Sequence, residues 1–252
     1  MTCYYIGGIG FVTPEILGCG REFKNFNPKP GKLPPITRKD VLDKPYKPFG
    51  RMDYFSKLGF AGTYFACKDA GLITDAQREN SEMSDTAIIV STRLRCLDTD
   101  NNYFQTIKLQ NGKNASPALF AYALPNAFLG EASIYLKTTG QCFAINEDNP
   151  KGIGILKMAF DILDSRESEI VVCGTCDTNV PDFLKGVLNN SRSDFAGSLF
   201  FTLTKKEQQF NYGKIKEDEN NNIFFNDKSI KDLLTLAQMC MDKNKIKEKF
   251  NL

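Results

Sequence analysis

Five apolar runs of strand length recur through the first 204 residues. The run DTAIIVST is apolar through its centre, which is typical of a strand buried on both faces of a sheet. CYYIGGIGFV mixes β-branched and aromatic residues with glycine and leads into the turn signal Thr13-Pro14. The predicted strands are residues 3–12, 85–92, 142–146, 169–174 and 196–204.

Helical periodicity fills the intervals between these runs. Residues 53–70 place small and aromatic residues at spacings of three and four, which predicts a helix with a small-residue packing face. We predict a second helix near 101–109, two short helices over 116–137 that are broken at Pro125, and a further helix over 150–165. Strands that alternate with helices predict an α/β fold with a mainly parallel mixed sheet flanked by helices.

The remaining segments are polar or rich in proline. Residues 24–50 carry six of the eleven prolines, which predicts an irregular, extended loop. Residues 212–225 are predicted to form a hairpin, and a last amphipathic helix is predicted to begin near Lys228. We therefore expect residues 1–204 to form the main domain and residues 205–252 to pack on it or extend it.

Composition excludes several classes of function. The chain has 252 residues and no histidine, so it cannot supply an imidazole for catalysis or for metal binding. Lys and Arg total 32 against 30 Asp and Glu, and a net charge of +2 argues against a nucleic-acid partner. Eight dispersed cysteines, no basic leader and no apolar stretch of about 20 residues predict a cytoplasmic protein without a membrane anchor. We expect no cofactor and no metal.

Four segments carry a family resemblance through their order and spacing. They are IGGIGFVTP at 6–14, RMDYFSKLGFAGTYFACKDAGL at 51–72, DTAIIVSTRLRCLDTDNNYFQTI at 85–107 and SPALFAYALPNAFLGEASIYLKTTGQCFAI at 116–145. Together they resemble the N-terminal half of the β-ketoacyl synthases, the condensing enzymes of fatty acid and polyketide synthesis. The resemblance implies a thiolase-like fold, of which this chain is a single N-terminal-type half.

The nucleophile of that family is missing from this chain. We align Gly140 to Ile145 with the strand that precedes the family's active cysteine, and Gly152 with the glycine that follows this cysteine. This alignment puts Asn149 at the cysteine position. A carboxamide cannot form a thioester, and Asn149 followed by Pro150 is typical of a helix cap. A complete condensing enzyme also takes two histidines or their equivalents from its second half. The resemblance therefore implies a subunit that is not catalytic by itself.

Ketosynthase-like subunits without the active cysteine are chain-length factors, and the short variety associated with aryl polyene and flexirubin-type pigments is similar to this chain. The resemblance implies a heterodimer with an active ketosynthase, whose acyl tunnel the subunit shapes, and contact with acyl carrier protein through that complex. Ordinary core packing is the alternative for each tunnel candidate. The candidates are Cys142, Phe143, Ala144, Ile145 and Asn146 for the dimer interface, and Phe120, Tyr122, Leu124 and Phe128 for the tunnel wall.

Thiolase-type folds pack two similar halves face to face. A single half would leave a helix face such as 152–163 exposed unless residues 205–252 or a partner covered it.

Other interpretations remain open. A cysteine-dependent acyltransferase or hydrolase would use Cys142 or Cys176, although neither has a visible base. Cys173 and Cys176 form a lone CxxC, for which buried reduced thiols are expected rather than a metal site. Glu147 and Asp148 are expected to serve the dipole of the following helix rather than acid–base catalysis. A further alternative is a purely structural subunit that only stabilises its partner.

Overall fold

The computed structural model describes residues 2–73, 83, 85–109, 112–147, 152–184 and 195–242. The strands are β1 (Cys3–Val12), β2 (Leu17–Cys19), β3 (Thr86–Thr92), β4 (Cys142–Asn146), β5 (Ile170–Asp177), β6 (Gly197–Thr204), β7 (Gly213–Glu217), β8 (Ile223–Phe225) and β9 (Lys228–Ile230). The helices are α1 (Arg38–Val41), α2 (Lys47–Arg51), α3 (Tyr54–Asp69), α4 (Leu97–Leu109), α5 (Pro117–Phe120), α6 (Ala127–Leu136), α7 (Ile153–Ser165) and α8 (Leu233–Met241). None of these described helices is long and apolar enough to cross a membrane.

The strands form one mixed sheet in the order β4-β3-β5-β6-β1-β7-β8-β9, with β2 paired to β1. β3 pairs in parallel with β4 and β5, whereas β6 lies antiparallel between β5 and β1. Four of these five central strands therefore run in one direction. The predicted α/β fold with a mixed sheet is confirmed, but parallel pairing is confined to β4-β3-β5, because β6 and the β7–β9 extension are antiparallel to their neighbours.

Alternate residues of the central strands supply two separate cores. Ile88 and Phe200 face a core shared with α3 and α6, whereas Ile89 and Phe201 face a core shared with α7 and α8. This is the side-chain alternation of a strand that is buried on both faces. The sheet therefore lies between two helical layers.

The predicted helix with a small-residue face is α3, and this face lies against β1. A side chain at Gly8 or Gly10 would collide with the backbone of α3 near Gly62 and Ala66, so the glycines permit the close approach of helix and strand. Asp53 starts the helix, because its carboxylate accepts a hydrogen bond of 2.8 Å from the Ser56 amide. α3 and α6 together form the helical layer on this face of the sheet.

The end of the described chain differs from the prediction in one respect. The hairpin of β7 and β8 is confirmed, but the last helix begins at Leu233 and not near Lys228. Asn226 and Asp227 have φ values of 45° and 63° and form a two-residue turn, so the residues after them pair with β8 as β9. Asp232 then caps the helix. The apolar spacing after residue 228 belongs partly to a strand and partly to a helix.

The inner face of α7 is covered by this C-terminal region. Side chains of α7 and α8 share the second core, and Leu233 packs directly against Gly152 at the start of α7. Of the two alternatives for the helix face at 152–163, the described structure therefore shows cover by the chain's own C-terminal residues. The α7 residues buried there are Ile155, Leu156, Ala159, Phe160, Ile162 and Leu163.

Candidate interaction surface

The position aligned with the family's nucleophile, Asn149, lies outside the described residues, as does Asp148. The flanking elements are described: β4 ends at Asn146, and α7 begins after Gly152, which has a φ of 65°. The structure thus contains the strand and the helix between which the alignment places the family's active residue.

Glu147 supplies an anion to the start of α7. Its Oε1 accepts a hydrogen bond of 2.8 Å from the amide of Gly154. A thiolate at a helix N-terminus is favoured by unsatisfied amides and by the helix dipole, both of which a carboxylate partly neutralises. The expectation that Glu147 serves the helix is confirmed, and the site is electrostatically unfavourable for a second anion.

The CxxC cysteines lie in β5 and cannot act together. Cys173 faces the core of α7 and α8, whereas Cys176 faces the core of α3 and α6, so the two thiols are on opposite faces of the sheet. Burial raises the pKa of both thiols well above the ordinary value. Among the described residues, no group of His, Cys, Asp and Glu is arranged to hold a metal ion. Cys176 is therefore a poor nucleophile, and the expected buried thiols are confirmed.

Cys142 is exposed at the start of β4. Its Sγ lies 3.0 Å from the Ser133 Oγ on α6. This contact joins α6 to the outermost strand of the sheet.

A buried carboxylate, Asp177, closes the ends of β3 and β5. Its Oδ1 accepts hydrogen bonds from the Thr92 hydroxyl at 2.8 Å and from the amides of Arg93 and Leu94 at 2.9 and 2.8 Å. Burial raises the pKa of Asp177 to about 6, against the opposing effect of these donors. The sequence analysis missed this residue, although an acidic residue at the end of an apolar run was the available signal.

The strand predicted as an interface, β4, forms an open edge of the sheet. Two hydrogen bonds show which residues of this strand face β3. The Ile88 amide donates to the Gln141 carbonyl at 2.9 Å, and the Glu147 amide donates to the Thr92 carbonyl at 3.2 Å. In a parallel ladder, alternate residues direct their peptide groups to opposite sides. The amides and carbonyls of 142, 144 and 146 therefore face away from β3, where no described strand pairs with them.

The four tunnel candidates divide into two pairs. Tyr122 and Phe128 are 8% and 0% exposed and lie in the chain's own core, where the Phe128 ring packs edge-on against Phe55 at 5.8 Å. For these two side chains the burial favours the alternative of core packing over the tunnel assignment. Phe120 and Leu124 are each 62% exposed and remain candidates.

Three large apolar side chains are exposed on α5, on α6 and between these two helices. Ile134 is 73% exposed on α6, next to the Ser133 that contacts β4. Sequence periodicity did not single it out. We define the edge surface as the open side of β4, and Phe120, Leu124 and Ile134 are separate exposed apolar positions.

Solved structures of ketosynthases share this architecture. The ishigamide ketosynthase/chain length factor matches with a TM-score of 0.65 and 13% identity, over 87% of this chain and 68% of that chain. A ketosynthase (ApeO) in complex with its chain length factor (ApeC) from Xenorhabdus doucetiae matches with a TM-score of 0.55 and 17% identity, over 82% and 80%. A β-ketoacyl synthase from Burkholderia phymatum matches with a TM-score of 0.60 and 13% identity, over 85% of this chain but only 63% of that chain. The fold is therefore the thiolase-like ketosynthase fold.

The sequence places the chain within a family. The β-ketoacyl synthase N-terminal domain matches residues 40–191, which is more than half of the chain. The chain belongs to the β-ketoacyl synthase family, and the predicted resemblance to its N-terminal half is confirmed. No curated protein matches the chain significantly.

Proposed function

We propose that the chain is a non-catalytic, chain-length-factor-like subunit that pairs with an active ketosynthase in the cytoplasm and shapes its acyl tunnel. The edge position of β4 among the described strands is the observation that carries this proposal. The pathway would be polyketide, polyene or fatty-acid-type synthesis, and the sequence resemblance favours the aryl polyene type. Acyl carrier protein would meet the subunit only through the complex.

The edge surface supports association. β4 is five residues long and carries no Lys, Arg, Asp or Glu. An uncharged edge strand with no pairing strand among the described residues is a liability that natural proteins normally avoid, and pairing with a strand of another subunit removes it. The amides and carbonyls of residues 142, 144 and 146 point away from β3 and are available for such a pairing. Cys142, Phe143, Ala144, Ile145 and Asn146 thus remain the proposed interface strand.

The chemistry of the chain supports a role without catalysis. It has no histidine, and the start of α7 already holds the carboxylate of Glu147. Cys176 is buried with a raised pKa, which leaves Cys142 as the exposed candidate of the alternative acyltransferase or hydrolase. Replacement Cys142→Ser separates the two, because it abolishes turnover only if this thiol is the nucleophile.

Phe120 and Leu124 are the side chains proposed to shape the partner's acyl tunnel. Both are bulky, apolar and exposed in the segment that reaches toward the partner's pocket by resemblance. Two similar structures are complexes of a ketosynthase with its chain length factor, which supports a ketosynthase as the partner of this fold. A growing acyl chain stops where it meets a wall, and these two side chains are the proposed wall.

Product length in a reconstituted pair tests the proposal. We expect Phe120→Ala and Leu124→Ala, each paired with the active ketosynthase, to give longer products at an unchanged rate, because the variants open space without touching catalytic groups. Met158→Ala is the matched control, since Met158 is also exposed but lies on α7. Phe128→Ala has the signature of core damage, a loss of about 3–5 kcal/mol of stability without a change in product length. An unchanged product distribution in both surface variants would leave only the purely structural role.

A further inference from the structure

The segment that carries the proposed wall has little packing of its own. α5 is a single turn of helix, and within the described residues 117–126 only Tyr122 is buried. Phe120 touches the Tyr103 ring on α4 at a centroid distance of 5.4 Å, but it is still 62% exposed. The position of the segment therefore depends strongly on how Tyr122 is held.

Tyr122 is held by a carboxylate that also binds a second tyrosine. The Tyr122 hydroxyl donates to Glu131 Oε1 at 2.9 Å, and the Tyr46 hydroxyl donates to Glu131 Oε2 at 3.3 Å. The Tyr46 ring packs against Phe60 of α3 and Tyr135 of α6, at centroid distances of 6.0 and 4.8 Å. Glu131 thus links the α5 segment to the body of the domain.

The protonation states favour this bridge. Burial, together with the neighbouring Glu131 carboxylate, raises the pKa of Tyr122 and that of Tyr46 to about 12. Both hydroxyls stay protonated at neutral pH and act as donors. Two hydroxyl donors on one carboxylate are charge-assisted hydrogen bonds, which are stronger than neutral ones.

We infer that Glu131 is a positioning residue that fixes Phe120 and Leu124 through Tyr122, and so sets where the proposed tunnel wall lies. The inference rests on the proposed function for its effect on product length. It also makes a claim about the free chain, namely that the hydroxyl of Tyr122 is the main anchor of residues 117–126. Glu131 touches no reacting group in this account and acts only through the segment.

Tyr122→Phe tests the anchor, with Tyr46→Phe as its matched control. Each variant removes one tyrosine hydroxyl that donates a hydrogen bond to the Glu131 carboxylate. Only Tyr122→Phe releases the α5 segment. In the isolated chain, we expect amide hydrogen exchange over 117–126 to become about 5–10-fold faster in Tyr122→Phe and to change little in Tyr46→Phe. In the reconstituted pair, Tyr122→Phe should broaden the product-length distribution while the condensation rate is retained.

Two variants of the carboxylate sharpen the test. Glu131→Gln keeps one acceptor oxygen but loses the charge, so its exchange rate should fall between those of the wild type and Glu131→Ala, and Glu131→Ala should resemble Tyr122→Phe. Equal exchange in Tyr122→Phe and the wild type would overturn the inference. If Phe120→Ala lengthens the products, then faster amide exchange in Tyr122→Phe with unchanged product lengths would also overturn the inference. If Phe120→Ala has no effect, the proposed tunnel role fails, and the exchange result on the free chain still supports or overturns the anchor.

Discussion

The two edges of the sheet are built in opposite ways. β9 is three residues long, begins with Lys228 and is followed by Lys231, whereas β4 is five residues long and uncharged. Short length and lysine are the usual means of blocking an edge from pairing with another chain. Within the described residues, the β9 edge carries both of these protections and the β4 edge carries neither. This difference is what the proposed pairing of β4 with a partner strand would require.

The sharpest test of this difference places proline at equivalent points of the two edges. The Ala144 amide faces away from β3, so proline there leaves the β3–β4 ladder intact. Ser229 is equivalent in β9, because the two-residue turn makes Phe225 and Lys228 the bonded pair and directs the Ser229 amide outward. We expect Ala144→Pro to lower affinity for the ketosynthase roughly 10–100-fold in calorimetry, and Ser229→Pro to leave it unchanged.

A stability control belongs to the same experiment. Ile145→Pro removes an amide that faces β3 and should lower the melting temperature of the free chain, whereas Ala144→Pro should lower it much less. Equal affinities for Ala144→Pro and Ser229→Pro would place the interface elsewhere.

Two aspartates, Asp177 at the end of the interior strand β5 and Asp227 in the turn before the edge strand β9, provide a second, smaller contrast. Burial raises the pKa of Asp177 to about 6, whereas the hydrogen bond from Lys216 lowers the pKa of the exposed Asp227. The native state then holds more protons than the unfolded state between about pH 4 and 6, so the Asp177 contribution to stability is fully present below about pH 4 and is lost as the pH rises through 6. We expect about 1 kcal/mol more stability from this residue at pH 5 than at pH 7.

Isosteric variants identify the source of that pH dependence. Asp177→Asn keeps the oxygen that accepts from Thr92, Arg93 and Leu94, and it should flatten the dependence of the unfolding midpoint on pH between 5 and 7. Asp227→Asn should leave the profile unchanged in that range. The assignment is wrong if the Asp177→Asn profile remains as steep as that of the wild type.

The smallest expected effect comes from adding a lysine to the β4 edge, with the same substitution on the β9 edge as the control. Cys142→Lys puts a charge at the exposed start of β4 and should weaken ketosynthase binding about 3–5-fold, since a rim charge contributes less than about 1 kcal/mol. Ser229→Lys adds the same charge to the protected edge and should have no effect. Identical dissociation constants for the two variants would contradict the asymmetry.

Local patterns were sufficient to predict most elements. The spacing of small residues predicted α3, and the break at Pro125 correctly separated α5 from α6. The prediction of a helix from Lys228 was wrong because apolar residues on a short strand and on the following helix merged into one helical period. The signal that would have separated them is Asn226-Asp227, two residues that tolerate positive φ.

The candidate surface was less predictable, because it depends on contacts between distant segments. The segment CFAIN is apolar whether it lies at the centre or at an edge of a sheet, and only the strand order makes β4 an edge. Likewise, nothing local distinguishes the exposed Phe120 from the buried Phe128, whose position depends on Phe55 and Phe200 of other elements. The bridge from Tyr46 to Glu131 spans 85 residues and has no local signature.

Cysteine labelling tests the central claim most directly. The chain has two exposed cysteines, Cys142 on the open edge and Cys3 on β1 where it pairs with β7, and the other six are buried. The rate of iodoacetamide labelling at each, measured by peptide mass spectrometry in the free chain and in complex with the ketosynthase, compares the two regions in one sample. The account predicts that the partner protects Cys142 and leaves Cys3 as reactive as before. Equal labelling of Cys142 in the free and bound chain, or protection of Cys3 alone, would contradict it.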